Sequence, residues 1–177
     1  VHNDTTVKHD VEYNLDILRF LGGTTQYENL ELWLGDGDRA FAEQVLRSQG
    51  VGPGTTLIAF GVGKLDAKRR WPVNRFAELG SWLMHRYGAR ILVVGEQAER
   101  PLGDALQREL GDSLVNMVGQ STVRQASAAL GHCRLYVGND TGPKHMAAAT
   151  GVPVIEINGF PLSGVPSDPA SPNRFGP

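Results

Sequence analysis

Short apolar runs alternate with amphipathic segments over most of the chain. The runs cover residues 57–60, 91–94, 114–118, 135–137 and 154–157, and each is bounded by glycine or polar residues. Runs this continuous are typical of strands buried on both faces, as in parallel sheets. The segments between them, residues 74–87, 97–110, 122–130 and 143–150, are each followed by glycine, a common helix end. The alternation predicts an α/β fold with a doubly wound parallel sheet of about five or six strands and helices on both faces.

The first 50 residues lack this alternation and contain two helical segments. Asp10 can cap a helix that runs to Leu21, and Asp38 can cap a second helix that runs through Leu46. We expect both to be packing helices. We therefore divide the chain into residues 1–50, which hold these helices, and residues 51–177, which hold the sheet.

Composition narrows the class of protein. With 17 Lys and Arg against 19 Asp and Glu, the 177 residues carry a formal charge of −2, which argues against a nucleic-acid-binding protein. No apolar run approaches the roughly 18 residues of a membrane-spanning helix. The one cysteine, Cys133, excludes an internal disulfide bond and a cysteine-built zinc site and is typical of a reducing compartment.

The loop after the first predicted strand is long for a strand-to-helix connection. In doubly wound sheets ligands bind beyond the carboxyl ends of the strands, and long loops in compact domains are usually functional. Residues 61–72, GVGKLDAKRRWP, combine glycines with four basic side chains. We interpret Lys64 as solvated surface charge and Lys68 and Arg69 as candidates for anion binding. The G-V-G at its start lacks the rest of a dinucleotide fingerprint and is a weak signal.

A second loop, residues 138–145 (GNDTGPKH), combines a strand end, a glycine turn and a helix start. Pro143 suits the first helical turn, where backbone amides carry partial positive charge that attracts phosphate. Further polar groups crowd this turn: Asp140, Thr141, Lys144 and His145. The alternative is that Asp140 and Thr141 only cap the helix. Because capping requires fewer polar side chains, we favour a phosphate or diphosphate site.

These segments carry a family resemblance. GNDTGPKHMAAATGVPVI, together with KRRWPVNRFAELGSWL, VVGEQAER and VGQSTVRQASAAL, resembles the C-terminal domain of glycosyltransferase family 9, the ADP-heptose:lipopolysaccharide heptosyltransferases. The likeness runs from about residue 57 to 160, and D-T-G-x-x-H before A-A-x-x-G-V-P is its most specific part. It implies the C-terminal, Rossmann-like half of a GT-B fold, which binds the nucleotide-sugar donor. Residues 1–50 would then lie at the interdomain junction.

The resemblance implies donor-site residues by position. The family binds the donor's diphosphate at this helix N-terminus, which assigns donor or phosphate contacts to Asp140, Thr141, Gly142, His145 and, at a variable place in the motif, Lys144. Its phosphate-binding basic residue stands two before the W-P pair, as K-x-W-P, where this sequence has Arg69 between Lys68 and Arg70. Arginine keeps the charge but changes its geometry, which leaves Arg69 and Lys68 as the candidates.

On the nucleoside side the resemblance implies an acidic residue after the second strand and a polar wall after the third. Glu96 is better placed at the strand end, whereas Glu99 has the alternative of favouring a helix N-terminus. Gln120 is the candidate for the adenine side. Helix capping by Ser121 or Thr122 is an equal alternative for that segment.

The activity implied is transfer of a heptose or related sugar from a nucleoside-diphosphate sugar, expected to be ADP-heptose, to a lipopolysaccharide-type glycolipid. The family's reaction is inverting and independent of metal, and no cofactor is expected beyond the donor. Its catalytic base belongs to the N-terminal domain, so the catalytic residue is unknown here. The chain starts at Val1 and ends on ASPNRFGP, and we expect part of a longer protein that binds donor with little turnover. The expected location is cytoplasmic, with at most peripheral contact with the inner membrane.

Two other functions stay open. A GT-B relative such as a nucleotide-sugar epimerase, or a non-catalytic nucleotide-binding module, would need many of the same residues. Asp36-Gly37-Asp38 looks like the D-x-D metal motif of other glycosyltransferases, but it precedes a helix instead of following a core strand, and we reject it as a metal site. The histidines have no metal-ligand spacing with one another or with Cys133.

Overall fold

Helices and strands alternate through the part of the chain that the structure describes. The computed structural model of the protein describes residues 8–25, 29–63, 70–160 and 171–172. Its strands are β1 (Leu57–Gly61), β2 (Arg90–Val94), β3 (Leu114–Asn116), β4 (Leu135–Asn139) and β5 (Val154–Ile157). Its helices are α1 (Asp10–Phe20), α2 (Asp36–Ser48), α3 (Val73–Tyr87), α4 (Arg100–Leu110), α5 (Val123–Leu130) and α6 (Gly142–Ala149). Single 3₁₀ turns, Gln97–Glu99 and Gly111–Ser113, precede α4 and β3.

The five strands form one parallel sheet in the order β3-β2-β1-β4-β5. This confirms the predicted doubly wound α/β fold. The strand order reverses between β1 and β4, which pair directly and place Gly61 opposite Gly138. In such sheets the reversal opens a crevice beyond the carboxyl ends of the two central strands. The two loops that stand out in the sequence, after β1 and after β4, therefore flank one crevice.

Side chains along the strands alternate between two apolar layers, one on each face of the sheet. Phe60 of β1 belongs to the layer that contains Phe76 of α3 and Leu106 of α4. Its neighbour Ala59 belongs to the opposite layer, which contains Leu130 of α5 and side chains of α2 and α6. Burial on both faces explains why the predicted strands read as continuous apolar runs.

Local side-chain hydrogen bonds set several element ends. Thr122 caps α5, as one of the two predicted alternatives: its hydroxyl accepts from the amide of Gln125 (3.2 Å), and the Gln125 side chain accepts from the amide of Thr122 (3.0 Å). β3 is shorter than the predicted run 114–118. It ends at Asn116, whose side chain accepts a hydrogen bond from the amide of Val118 (3.1 Å).

The two N-terminal helices differ in how they pack. No residue of α1 is buried, and its N-cap is His9 instead of the predicted Asp10. α2 begins at Asp36 with Gly35 as its N-cap, three residues before the predicted cap. Asp38 does not precede the helix but lies in its first turn and accepts from the amide of Gly35 (2.9 Å). Ala42 and Leu46 of α2 are buried in the core of the sheet domain. α2 thus packs into the core of the sheet domain, although it precedes residue 50. The division of the chain into domains at that residue stays a prediction.

The glycines that face each other across β1 and β4 make room for Tyr136. This side chain is fully buried, and its hydroxyl lies where a side chain at Gly61 or Gly138 would stand. A Cβ at position 61 would lie 1.7 Å from the Tyr136 hydroxyl oxygen, and one at position 138 would lie 2.6 Å from it. Gly61 therefore has a packing role, and the G-V-G that it begins needs no cofactor to explain it.

Replacing Gly61 with alanine should lower the free energy of unfolding by about 2 to 3 kcal/mol, since the methyl group overpacks against a ring that is enclosed by the sheet. Urea denaturation measures the change. Gly52→Ala is the matched control, because nothing lies within 4 Å of a Cβ there, and it should change the stability by no more than about 0.5 kcal/mol. Equal stabilities for the two variants would contradict the packing role.

Candidate binding crevice at the carboxyl edge of the sheet

The polar residues predicted for the site lie along one edge of the sheet. Gln120 follows β3, Glu96 and Glu99 follow β2, and Asp140 and its neighbours follow β4. Because all strands are parallel, these positions share the carboxyl edge. Lys68 and Arg69 lie outside the described residues, as does Lys64. Arg70 is described and half-buried at the end of that loop.

The N-terminus of α6 faces the crevice without a side-chain cap. Thr141 is the N-cap residue, but its side chain makes no capping hydrogen bond to the amides of the first turn. The Thr141 hydroxyl instead donates to the carbonyl of Asn139 (3.3 Å). A helix end of this kind is an anion-binding site, because its amides point outward and the helix dipole favours negative charge. Thr141 therefore does not act as the side-chain cap that the alternative interpretation required.

Asn139, the last residue of β4, holds both ends of the loop after β1. The Asn139 side chain is fully buried, and its nitrogen Nδ2 donates to the backbone carbonyls of Val62 (3.0 Å) and Gly63 (3.2 Å). Its oxygen Oδ1 accepts from the backbone amide of Trp71 (2.9 Å). One side chain thus fixes the points at which this loop leaves β1 and returns towards α3.

Trp71 also fixes the end of the loop that returns towards α3. Its ring meets Phe76 edge-on, with centroids 4.7 Å apart, and packs against the core layer on that face of the sheet. Pro72 is the N-cap of α3. The return of the loop is therefore set by an aromatic contact as well as by the Asn139 hydrogen bond.

Lys144 has surroundings that differ from those of a surface lysine. Its side chain is 0% exposed, and its ammonium donates to Asp140 Oδ1 (2.8 Å) and to Glu156 Oε2 (2.7 Å). Asp140 is 27% exposed at the mouth of the crevice and Glu156 is 8% exposed on β5. A buried ammonium is stable only with such charged partners. The three residues form what we call the Asp140–Lys144–Glu156 triad.

On the other side of the crevice Glu99 lies further inward than Glu96. Glu96 is exposed, whereas the half-buried Glu99 carboxylate accepts from the Glu96 amide (2.9 Å) and packs over Gly63 and Gly95. A Cβ at position 63 would lie 1.5 Å from Glu99 Oε1, which explains that glycine. Glu99 thus supports a helix N-terminus, as its alternative interpretation proposed, and also reaches the end of β1.

Gln120 is exposed beyond β3, and its side-chain amide donates to the carbonyl of Asn116 (2.9 Å). The turn before it is joined to the end of β2, because the amide of Gly119 donates to the carbonyl of Gly95 (3.0 Å). The segments that carry Gln120 and Glu99 are therefore adjacent at the edge of the sheet.

Two further titratable groups lie at the α6 end of the crevice. Burial, and then the charge of Lys144, lower the pKa of His145, so its imidazole is neutral at pH 7. Burial raises the pKa of Tyr136, whose hydroxyl points towards Thr141 and has no hydrogen-bond partner within bonding distance among the described residues. Both neutral groups can donate a hydrogen bond without adding charge.

Sequence reasoning did not find the roles of three residues that shape the crevice. Tyr136 and Asn139 lie within the otherwise apolar strand β4. Polar side chains in a buried strand that ends at the crevice were the signal that could have indicated their roles. Glu156 interrupts the apolar run of β5. A carboxylate in a run that is predicted to be buried indicates a buried partner, and the nearest cation before it is Lys144.

Asp36 and Asp38 belong to the first turn of α2. Within the described ranges no group of three or more His, Cys, Asp or Glu side chains is arranged to hold a metal ion. In the same part of the chain no helix combines the length and the apolar character needed to cross a bilayer.

Asn139→Leu should lower the free energy of unfolding by about 3 kcal/mol or more, because three buried backbone groups lose their partner. Ser127→Ala is the control: Ser127 is equally buried but donates a single hydrogen bond, to Val123, and its loss should cost about 1 kcal/mol. Hydrogen exchange adds a local measurement, in which the Trp71 amide loses protection only in the Asn139 variant. Equal costs for the two variants, with Trp71 still protected, would contradict the role given to Asn139.

Comparison with known proteins places the chain in a family. The model of glycosyltransferase family 9 (heptosyltransferase) matches residues 1–161. A search of curated proteins finds no match. Among solved structures, a family 9 glycosyltransferase from Veillonella parvula DSM 2008 is 24% identical with a TM-score of 0.85, and the match covers 100% of this chain and 49% of that one.

Two structures from E. coli are similar in fold. ADP-heptose lps heptosyltransferase II is 22% identical with a TM-score of 0.65, over 85% of this chain and 46% of that one. Heptosyltransferase WaaC, solved with ADP-2-deoxy-2-fluoro heptose, is 22% identical with a TM-score of 0.61, over 98% of this chain and 50% of that one. The chain thus spans about half the length of these structures. It belongs to glycosyltransferase family 9, the heptosyltransferase family.

Proposed function

We propose that this chain is the donor-binding half of a glycosyltransferase that moves a heptose or related sugar from a nucleoside diphosphate to a lipopolysaccharide-type glycolipid. The observation that carries the proposal is the uncapped N-terminus of α6 at the point where the strand order reverses. Anionic groups of nucleotides bind at such positions. Family membership supplies the reaction class.

The diphosphate is proposed to bind at the start of α6. The backbone at Thr141 and Gly142 offers outward-pointing amides, and neutral His145 adds a donor in the same turn. Lys68 and Arg69 are proposed to contact the phosphates from the facing loop, whose two ends Asn139 holds beside α6. Cations and oriented dipoles of this kind stabilise a diphosphate leaving group as its charge develops.

The nucleoside is proposed to extend across β1 towards β2 and β3. Glu99, and Glu96 beside it, could accept hydrogen bonds from the ribose hydroxyls, and Gln120 borders the base. ADP is the preferred nucleotide, because a fold relative is solved with an ADP-linked sugar. ADP-heptose is therefore the first donor to test.

The reaction is proposed to be inverting and independent of metal, with no cofactor besides the donor. Leaving-group charge would be balanced by the α6 amides and the basic loop, so no metal is needed for that step. The base that activates the acceptor, and the glycolipid site itself, are assigned to an N-terminal domain of the GT-B kind, with residues 1–50 near the junction. The proposed location is cytoplasmic, with peripheral contact to the inner membrane.

Calorimetric titration with ADP, UDP and GDP tests the proposal. We expect ADP to bind at least tenfold more tightly than the other two, and the chain by itself to transfer no sugar. Preference for UDP would favour an epimerase-like relative. If the chain binds a nucleotide but sugar transfer is not restored when an N-terminal partner domain is added, a non-catalytic module would be favoured. If the chain binds none of the three nucleotides, the proposal is contradicted.

Arg69→Ala, in the same titration, should weaken ADP binding by about tenfold, the size of one charge-assisted hydrogen bond. Asp140→Ala should weaken it as well, because the turn that presents the α6 amides loses its ion pair with Lys144. Arg47→Ala is the control, because Arg47 is exposed on α2 and forms an ion pair with Glu43, which is also exposed. It should leave the affinity unchanged. Wild-type affinity in both site variants would remove the assignment of the phosphate site.

ADP affinity should also depend on pH through His145. In the free protein its pKa lies below the ordinary value, so the imidazole is neutral at pH 8 and at pH 7. A bound diphosphate favours the protonated form and raises this pKa, so binding should tighten as the pH falls from 8 to 6 by a factor of about three to ten. ADP itself titrates in this range, so the readout is the ratio of wild-type affinity to that of His145→Asn. A ratio that is constant with pH would contradict the contact.

A further inference from the structure

Lys144 occupies an unusual place for a residue of a phosphate-binding turn. It lies in the first turn of α6, yet its side chain is 0% exposed and its ammonium lies between two carboxylates, 2.8 Å from Asp140 Oδ1 and 2.7 Å from Glu156 Oε2. Removing an ammonium from water is costly, and ion pairs repay that cost only when the geometry is good. So costly an arrangement indicates that the ion pairs of Lys144 have a role in the fold or in the site.

The triad connects three elements. Asp140 directly follows β4, Lys144 belongs to α6, and Glu156 lies on β5 in register with Gly138. Glu156 is itself fixed, because its second carboxylate oxygen accepts from the side-chain amide of Asn158. Asn158 in turn accepts from the amide of Phe160 (2.6 Å). A chain of polar contacts thus runs from the edge strand through Lys144 to the carboxylate at the mouth of the crevice.

Among the three side chains of the triad, Asp140 is by far the most exposed. Asp140 is 27% exposed, Glu156 is 8% exposed and Lys144 is 0% exposed. Only Asp140 can therefore meet a bound molecule directly without rearrangement of the turn. Lys144 spans one helical turn back to Asp140, a spacing that brings the two side chains together on one face.

We propose that Lys144 and Glu156 are positioning residues, which hold the Asp140 carboxylate in the orientation in which it contacts the donor. Lys144 then serves the site through Asp140 and does not bind phosphate itself. This inference rests on the proposed function, because it assumes that Asp140 meets a nucleoside-diphosphate sugar. It assigns a role to β5 in a site that is otherwise built from the segments after β1, β2, β3 and β4.

The experiment uses a pair of substitutions that keep the net charge. Lys144→Met with Glu156→Gln removes one cation and one anion, so the triad retains its charge of −1 while Asp140 loses its support. Both replacements have nearly the original volume, and neutral replacements of buried ion pairs are commonly tolerated. Thermal unfolding of the double variant checks that the fold survives. Arg47→Met with Glu43→Gln, an exposed ion pair on α2, is the control that makes the same kind of charge change far from the crevice.

Titration with ADP-heptose, whose sugar hydroxyls can donate to the Asp140 carboxylate, should show an affinity loss of at least tenfold in the Lys144→Met, Glu156→Gln variant and no change in the α2 control. The same pair of substitutions is then made in an Asp140→Asn background, where its effect should fall below twofold, since the group that it positions is already altered. An equal loss in both backgrounds would mean that Lys144 contacts phosphate directly and would overturn the proposal. An unchanged affinity in the first variant would overturn it too.

Glu156→Gln alone gives a second readout should the double variant fail to fold. It removes a negative charge near the anion site, which by charge alone would strengthen ADP-heptose binding. If Glu156 positions Asp140, the affinity should instead fall by about threefold, and a higher affinity would overturn the proposal. Absence of ADP binding by the unaltered chain would overturn the proposed function and this assignment together, whereas the outcomes above overturn the positioning role alone.

Discussion

The hydrogen bonds of the Asn139 side chain are the constraint on which the rest of the crevice depends. They join β4 to both ends of the loop after β1, at the place where the strand order reverses. Helices on the two sides of such a reversal turn away from each other, which leaves the crevice without a covering element. A buried amide with all its bonds made keeps the two sides at a fixed separation.

Different residues determine the shape of the crevice and its charge. Shape comes from glycines: Gly61 and Gly138 accommodate Tyr136, and Gly63 accommodates Glu99. Charge comes from groups that are held apart, with the Asp140–Lys144–Glu156 triad on one side and Glu99 on the other. Carboxylates at both ends leave the α6 N-terminus as the electropositive point between them. An elongated molecule with its anionic part in the middle and hydroxyl groups on both sides fits that order, as a nucleoside-diphosphate sugar does.

Much of the fold could be predicted from the sequence, because the sheet is buried on both faces and its strands therefore appear as apolar runs. Thr122 could be predicted as a cap because capping depends on residues three apart. Asn139 could not be assigned its role, since the partner amide of Trp71 is 68 positions away and no local pattern reports a contact of that range. Lys144 was interpreted as a donor to phosphate because charged residues in a turn are usually solvated. Its burial depends on Glu156, whose approach is decided only by the pairing of β5 with β4.

That pairing gives the triad a consequence for the edge of the sheet. On β5 the carboxylate of Glu156 faces inward, whereas Ile155 beside it is 52% exposed, the reverse of what hydrophobicity alone would favour. A slip of β5 by one residue would turn Ile155 to the other face, but it would also turn Val154 out of the layer that it packs against and remove the Glu156 carboxylate from the Lys144 ammonium. The register of the edge strand is therefore specified by an ion pair as well as by apolar packing.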